Sequence, residues 1–146
     1  MKIFTIGFTK KTAQVFFNLL SNNNVDLLID IRLNNSSQLA GFSKGDDLSY
    51  FLKRICSIEY KHDLLFAPTK QILDDYKDKK ITWNHYEKEY IKLMNMRNAT
   101  EHFIDMYGKY ERVCFLCSEP TAEKCHRRLI ADIVSSEKED IEIVHL

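Results

Sequence analysis

At 146 residues the chain is long enough for one hydrophobic core, and a domain of this size buries roughly 68–70% of the surface its unfolded chain exposes. Hydrophobic residues at 45% and charged residues at 29% exclude a disordered or collagen-like chain. Twenty-one basic residues against twenty-one acidic ones exclude the broad positive field of a protein that clamps phosphate backbones non-specifically, so any anion site, nucleic acid included, must be local.

Ile3–Ile6, β-branched and aromatic, reads as a first strand ending at Gly7, and Val25–Ile31, apolar but for Asp26 and Asp30, reads as a second. Unbroken rather than alternating apolarity marks strands covered on both faces, as in a parallel sheet. Between them Thr9 is placed to cap a helix whose Val15, Phe16, Leu19 and Leu20 fall on one stripe, ended by Asn22 to Asn24. That is one βαβ unit, and its crossover is expected to be right-handed. After a polar loop from Asn34 to Gly45, the residues Leu48, Phe51, Leu52, Ile55 and Cys56 recur at helical spacing, and Ile58–Tyr60 reads as a third strand.

From Pro68 to Tyr107 the pattern is helical, an insert at about 68–107, with Thr69, Thr82 and Thr100 as caps and Gly108 as a stop. Arg112–Cys117 reads as a fourth strand, Ala122–Val134 as a helix and Ile141–His145 as a last strand. No repeat, low-complexity linker or proline-rich stretch divides the chain, which predicts a single domain over residues 1–146. Strands alternating with helices predict an α/β fold: a doubly wound, mainly parallel sheet with helices on both faces, in a Rossmann-like three-layer arrangement.

In such sheets ligands sit outside the carboxyl ends of the strands, near the switch in strand order. That rule singles out Gly7, Asp30 with Arg32, His62, and the segment from Cys117 through Arg128. Asp30 and Arg32 stand two apart at the end of a strand and so share a face, where they form either an internal ion pair or a carboxylate base beside a guanidinium that grips phosphate. Cys117, Glu119, Cys125, His126, Arg127 and Arg128 gather a thiol, a carboxylate, an imidazole and two guanidinium groups around one helix start. Basic residues there oppose the helix dipole unless an anion neutralises both, although Arg127 or Arg128 paired with surface acids such as Glu123 or Asp132 would serve as well.

Cys114 and Cys117 form a Cys-x-x-Cys, but on a strand positions three apart point to opposite faces, so neither a zinc ion shared by the two nor a zinc site from Cys114, Cys117, Cys125 and His126 is expected. Cys114 and Cys56 read as core, and Cys125 lies on the apolar stripe of the last helix. Cys117 ends its strand and is a nucleophile if a cation lowers its pKa; His62 or His126 is a proton shuttle or a structural histidine. Trp83, Tyr86 and Tyr90 read as core rather than a stacking platform, and Lys77 to Lys80 as a solvated helix end. Four cysteines are too few for a disulfide scaffold, the chain opens on a strand-like run with no signal peptide, and no apolar run approaches the roughly 18–20 residues that span a bilayer. A reducing cytoplasm, no disulfide and no membrane are therefore expected.

Thr5-Ile6-Gly7, Asp30-Ile31-Arg32, Phe42-Ser43, Tyr60-Lys61-His62, Cys117-Ser118-Glu119 with Cys125-His126-Arg127, and His145-Leu146 together resemble the bacterial and archaeal domain of unknown function 488 family over nearly the whole chain. The resemblance implies the same site at the strand ends but names no reaction. Two departures stand out: Phe8 and Thr9 replace a histidine and a serine usual in the family, and Leu33-Asn34-Asn35-Ser36-Ser37-Gln38 replaces a loop that usually carries a proline and an arginine. The first implies a different or reduced activity if that histidine is catalytic in relatives; the second resembles a subgroup with its own Leu-Asn-Asn version of the site.

The sequence thus predicts an enzyme for a small anionic, phosphate-bearing ligand such as a nucleotide or a nucleic-acid end. Asp30 and Glu119 would act as acid–base or nucleophilic carboxylates, Arg32 and Arg127, with Arg128 and the backbone at Gly7, as anion holders, and His126 or His62 as proton shuttle. The rivals are a non-catalytic nucleotide-binding module and a thiol enzyme using Cys117. Neither a cofactor nor a metal is required by this reading.

Overall fold

The computed structural model describes residues 1–36, 40–138 and 140–146. Five strands, β1 (Lys2–Gly7), β2 (Leu27–Asp30), β3 (Glu59–His62), β4 (Arg112–Cys117) and β5 (Glu142–His145), form one sheet in the order β3-β2-β4-β1-β5, and every neighbouring pair is parallel. The chain moves outward from β1 through β2 to the β3 edge, then returns to insert β4 in the middle and ends at the opposite edge with β5. Right-handed crossovers taken in two opposite directions put helices on opposite faces, which makes the fold a doubly wound α/β sheet.

Helices α1 (Ala13–Asn22) and α2 (Gly45–Phe51), the latter continued by a π-helical turn over Leu52–Cys56, cover one face. There Phe4, Ile6, Leu28, Cys114 and Leu116 meet Phe16, Phe17, Leu20, Leu48 and Leu52. Helices α3 (Lys70–Lys77), α4 (Trp83–Met96), α5 (Ala99–Tyr107) and α6 (His126–Glu137) lie on the other side, where Ile3, Leu27, Ile29, Val113 and Phe115 meet Tyr86, Tyr90, Phe103, Leu129 and Ile130. The unbroken apolarity of β1, β2 and β4 follows directly, since alternate side chains of each strand enter two different cores. No helix among the described residues is long and apolar enough to cross a membrane.

Three expectations about element ends are corrected. Thr12, not Thr9, caps α1: its Oγ1 accepts from the Val15 N–H at 3.2 Å, while Thr9 N–H donates to the Ser118 carbonyl and Lys10 takes a left-handed turn, delaying the helix by a few residues. Val15 consequently faces solvent. Thr69 and Thr82 cap α3 and α4, but Asn98 in the left-handed region precedes α5, Thr100 is buried inside it, and Gly108 ends it with an ordinary right-handed backbone. Most consequential for the site, α6 begins at His126 rather than near Ala122, with Cys125 at its N-cap, so 118–124 is a loop and the N–H groups of Thr121 to Lys124 are not a helix terminus.

Candidate functional site

Strand β4 is flanked by β1 and β2, whose following loops turn to the α1/α2 face, whereas its own loop turns to the α6 face. The chain therefore parts at the carboxyl end of β4, and a cleft of about 870 Å³ opens there, within the range of small-molecule sites, roughly 300–1,000 Å³. Phe8 and Thr9 after β1, Arg32 to Asn34 after β2, and Cys117 to Glu119 with Cys125 and His126 after β4 form its floor. Tyr76, Lys77, Lys79, Trp83 and Tyr86 of the helical insert form its far wall.

Arg32 is 3% exposed, and its position is fixed on all but one side. Nε donates to Asp30 Oδ1 at 2.8 Å, Nη2 donates to Asp30 Oδ2 at 2.6 Å and to the Ser43 carbonyl at 2.7 Å, and the guanidinium lies 5.2 Å from the centre of the Phe8 ring. Asp30 is completely buried and also accepts from the Tyr60 hydroxyl at 2.7 Å, which in turn accepts from Asn35 Nδ2 at 3.0 Å. Burial, together with the Asp30 carboxylate, pushes the Tyr60 phenol well up, so it remains a donor. Burial alone would lower the Arg32 pKa, but the Asp30 hydrogen bonds and charge outweigh it and raise the pKa. The remaining nitrogen, Nη1, is buried without a partner.

On the α6 side, Cys117 lies 3.6 Å from His126 Nδ1 and 3.7 Å from Nε2, while His126 Nε2 is 3.2 Å from the Ile31 carbonyl and Nδ1 is 3.5 Å from the Tyr86 hydroxyl. The neighbouring Cys125 thiol lowers the Cys117 pKa against its burial, with help from the N–H groups of Ser118 and Glu119, and the same proximity raises that of Cys125 strongly. Burial holds His126 below the usual imidazole value. Arg127, 1% exposed, donates from Nη1 to the Glu119 carbonyl at 2.5 Å and to Cys125 Sγ at 3.7 Å.

The predicted residues thus separate. Arg32, Cys117, Glu119 and His126 line the cleft; Asp30 stands behind Arg32 as its counter-ion, and Arg127 is buried behind the Glu119 backbone. Gly7 is not open to a ligand, because a Cβ there would overlap the Glu119 carbonyl oxygen and sit 2.7 Å from Arg127 Nη1. Arg128 points away, pairing with Asp132 at 2.9 Å and Glu87 at 3.5 Å, as surface acids allow. His62, exposed at the end of β3, bonds the Arg32 carbonyl at 2.8 Å and is not part of the cleft wall. A thiol enzyme requires an accessible Cys117, and its side chain is 4% exposed.

Tyr76, Trp83 and the lysines of the insert were not expected at the site. Trp83 stacks on Tyr86 at 5.1 Å between ring centres with a 19° tilt, and Tyr76 meets Trp83 at 5.7 Å, so one aromatic stripe runs from the core, where Tyr90 is buried, out to the cleft. Of the unusual loop, Leu33 and Asn34 line the cleft and Asn35 supports Tyr60, while Ser37 and Gln38 lie outside the described residues.

A family model described as domain of unknown function DUF488 matches residues 12–134. Neither the curated proteins nor the solved structures contain a significant match.

Proposed function

The chain belongs to that family, and we propose that its cleft binds and turns over a small phosphate-bearing ligand with a flat ring, of the nucleotide kind. Arg32 carries this reading: it is a buried guanidinium, immobilised by Asp30 and Ser43, that lines the cleft with Nη1 unpartnered. Leaving a buried charged donor unpaired is costly, and a phosphate or carboxylate oxygen from the ligand removes that cost. Lys77, Lys79 and Lys124 add positive charge around the rim, and Tyr76 with Trp83 offers a ring a stacking surface. Glu119, exposed on the cleft wall, is the group free to act as acid or base, which distinguishes a reaction site from a module that only binds. Phe8 on the Arg32 guanidinium and Leu33-Asn34 on the wall support reading this chain as a branch of the family with its own version of the site.

Nucleoside monophosphates, scanned by thermal shift and calorimetry, test the proposal. A ligand at about 100 times its Kd adds roughly 2.7 kcal/mol to stability. Trp83→Ala is expected to weaken binding about tenfold, within the roughly 1–3 kcal/mol of one base–aromatic stack. The double variant Asp30→Asn with Arg32→Met, which removes both charges together, is expected to abolish binding. Absence of any nucleotide effect, or binding that survives the double variant, refutes the proposal.

A further inference from the structure

We propose that Cys117, Cys125 and His126 form a zinc site with two thiolates and one imidazole as ligands and its fourth position open to the cleft. The strand geometry that sends Cys114 to the opposite core stands, but the expectation of no zinc is reversed for the other three candidate ligands, because α6 brings Cys125 and His126 over the end of β4. The two sulfurs and a ring nitrogen lie within 4.8 Å of one another, and all three residues are buried. Tetrahedral zinc, with bonds of about 2.3 Å to sulfur and about 2.0–2.1 Å to nitrogen, holds S and N about 3.5–3.6 Å apart and two sulfurs about 3.8 Å apart. Cys117 Sγ stands 3.6 Å from His126 Nδ1 and 3.7 Å from Nε2, across the imidazole and not in line with either nitrogen. Seating an ion then requires the His126 ring to turn Nδ1 toward the two sulfurs, together with sulfur shifts of about 1 Å, a change of side-chain torsion and not of backbone.

What surrounds the ligands fits as well. A metal-bound imidazole usually donates its second N–H to a carbonyl or carboxylate, and His126 Nε2 is 3.2 Å from the Ile31 carbonyl, leaving Nδ1 for the ion. Arg127 donates to Cys125 Sγ at 3.7 Å and finds no carboxylate among the described residues, so a sulfur bearing negative charge is its natural partner. Two thiolates and one imidazole form a donor set of the type that selects zinc over magnesium or calcium. Three protein ligands in place of four, all in the cleft floor, match zinc sites that keep a position for water or substrate. Loading such a site releases the two thiol protons, so affinity falls as the pH is lowered. Nothing in this assignment depends on which anion the cleft takes.

Full-length protein, reduced and stripped with chelator, is titrated with Co(II) and then with Zn(II). Expected are one ion per chain, sulfur-to-cobalt charge-transfer absorption with tetrahedral ligand-field bands, and displacement of cobalt by zinc. Cys117→Ser and Cys125→Ser should each weaken binding at least a hundredfold, whereas Cys56→Ser, in the π-helical turn on the opposite face, should leave it unchanged. Because a buried cysteine variant can fail to fold, the wild-type spectrum decides independently: octahedral bands without thiolate absorption, binding weaker than about millimolar, or a mass two hydrogens low from a Cys117–Cys125 disulfide in protein isolated under reducing conditions would each overturn the site.

Discussion

Two arginines are buried at the carboxyl end of this sheet, and they are satisfied in opposite ways. Arg32 is an ion pair completed inside the fold: Asp30 takes Nε and Nη2, Ser43 takes Nη2 again, and Nη1 is left buried without a partner. Arg127 is equally buried, yet its partners are a backbone carbonyl and a sulfur, and its Nε has none. A guanidinium taken from water costs several kcal/mol unless a counter-charge comes with it. The α1/α2 side therefore carries its own counter-charge and presents a fixed donor, whereas the α6 side carries a cation whose balance must come from its two sulfurs or from what they bind.

Removing Asp30 on one side and the Arg127 cation on the other breaks this comparison most directly, and the first gives the largest effect. Asp30→Ala strands the Arg32 charge in the core and leaves the Tyr60 hydroxyl without its acceptor, so a loss of about 3–5 kcal/mol is expected in urea unfolding. Adding Arg32→Met should restore most of it, because two apolar side chains leave no stranded charge. Arg127→Met, by contrast, removes a cation with no carboxylate partner and is expected to cost only about 1 kcal/mol, the worth of one hydrogen bond. Equal losses for Asp30→Ala and Arg127→Met would show that the two arginines are not differently balanced.

A smaller effect is expected where the two sides touch. Gly7 pairs in register with Cys117, and the Glu119 carbonyl crosses directly above it. The glycine is therefore a requirement of close packing between the first strand and the 118–124 loop. Gly7→Ala must push back a backbone rather than a side chain, at roughly 1–3 kcal/mol. It should also displace Glu119, so that ligand affinity falls along with the melting temperature. A stable variant with unchanged affinity would mean the loop moves freely, and would remove the reason for glycine there.

The sheet was readable because its signal is redundant: β1, β2 and β4 are apolar on both faces, and only a sheet covered twice makes use of that. The paired geometry of Asp30 and Arg32 was readable too, since two residues apart on a strand fixes a common face, although whether they met each other or a ligand was not. The start of α6 was misread because the apolar stripe does not mark where the helix begins, while the chain instead spends 118–124 crossing above Gly7 and starts its helix at His126, with Cys125 as the N-cap. The aromatic wall was missed for a different reason. Trp83, Tyr86 and Tyr90 share one stripe, and periodicity cannot say that the stripe leaves the core at its first residue to line a cleft whose other side is built from the loops after β1, β2 and β4, all distant in the chain.

The smallest effect tests the comparison from a second carboxylate, one outside the cleft whose partners the fold supplies in full. Asp63, just after β3, accepts from His102 Nε2 and from the Tyr107 hydroxyl through Oδ2, both at 2.7 Å, and from the Leu65 N–H through Oδ1 at 3.0 Å. Burial would raise its pKa, but these hydrogen bonds outweigh it and hold the carboxyl below its ordinary value. A carboxylate whose pKa is lowered by folding contributes stability above its unfolded pKa, about 3.9, and loses it as the pH falls through the lower folded value. The wild-type protein should therefore lose part of its stability on acidification below about pH 4. Asp63→Asn, which keeps an acceptor but not the charge, should be less stable than wild type by on the order of 1 kcal/mol at neutral pH and should converge on it in acid. Unfolding curves at pH 7 and pH 3 decide the matter: a gap that stays constant with pH would mean that Asp63 acts by shape alone, and that counter-charges matter to this fold only at the strand ends that form the cleft.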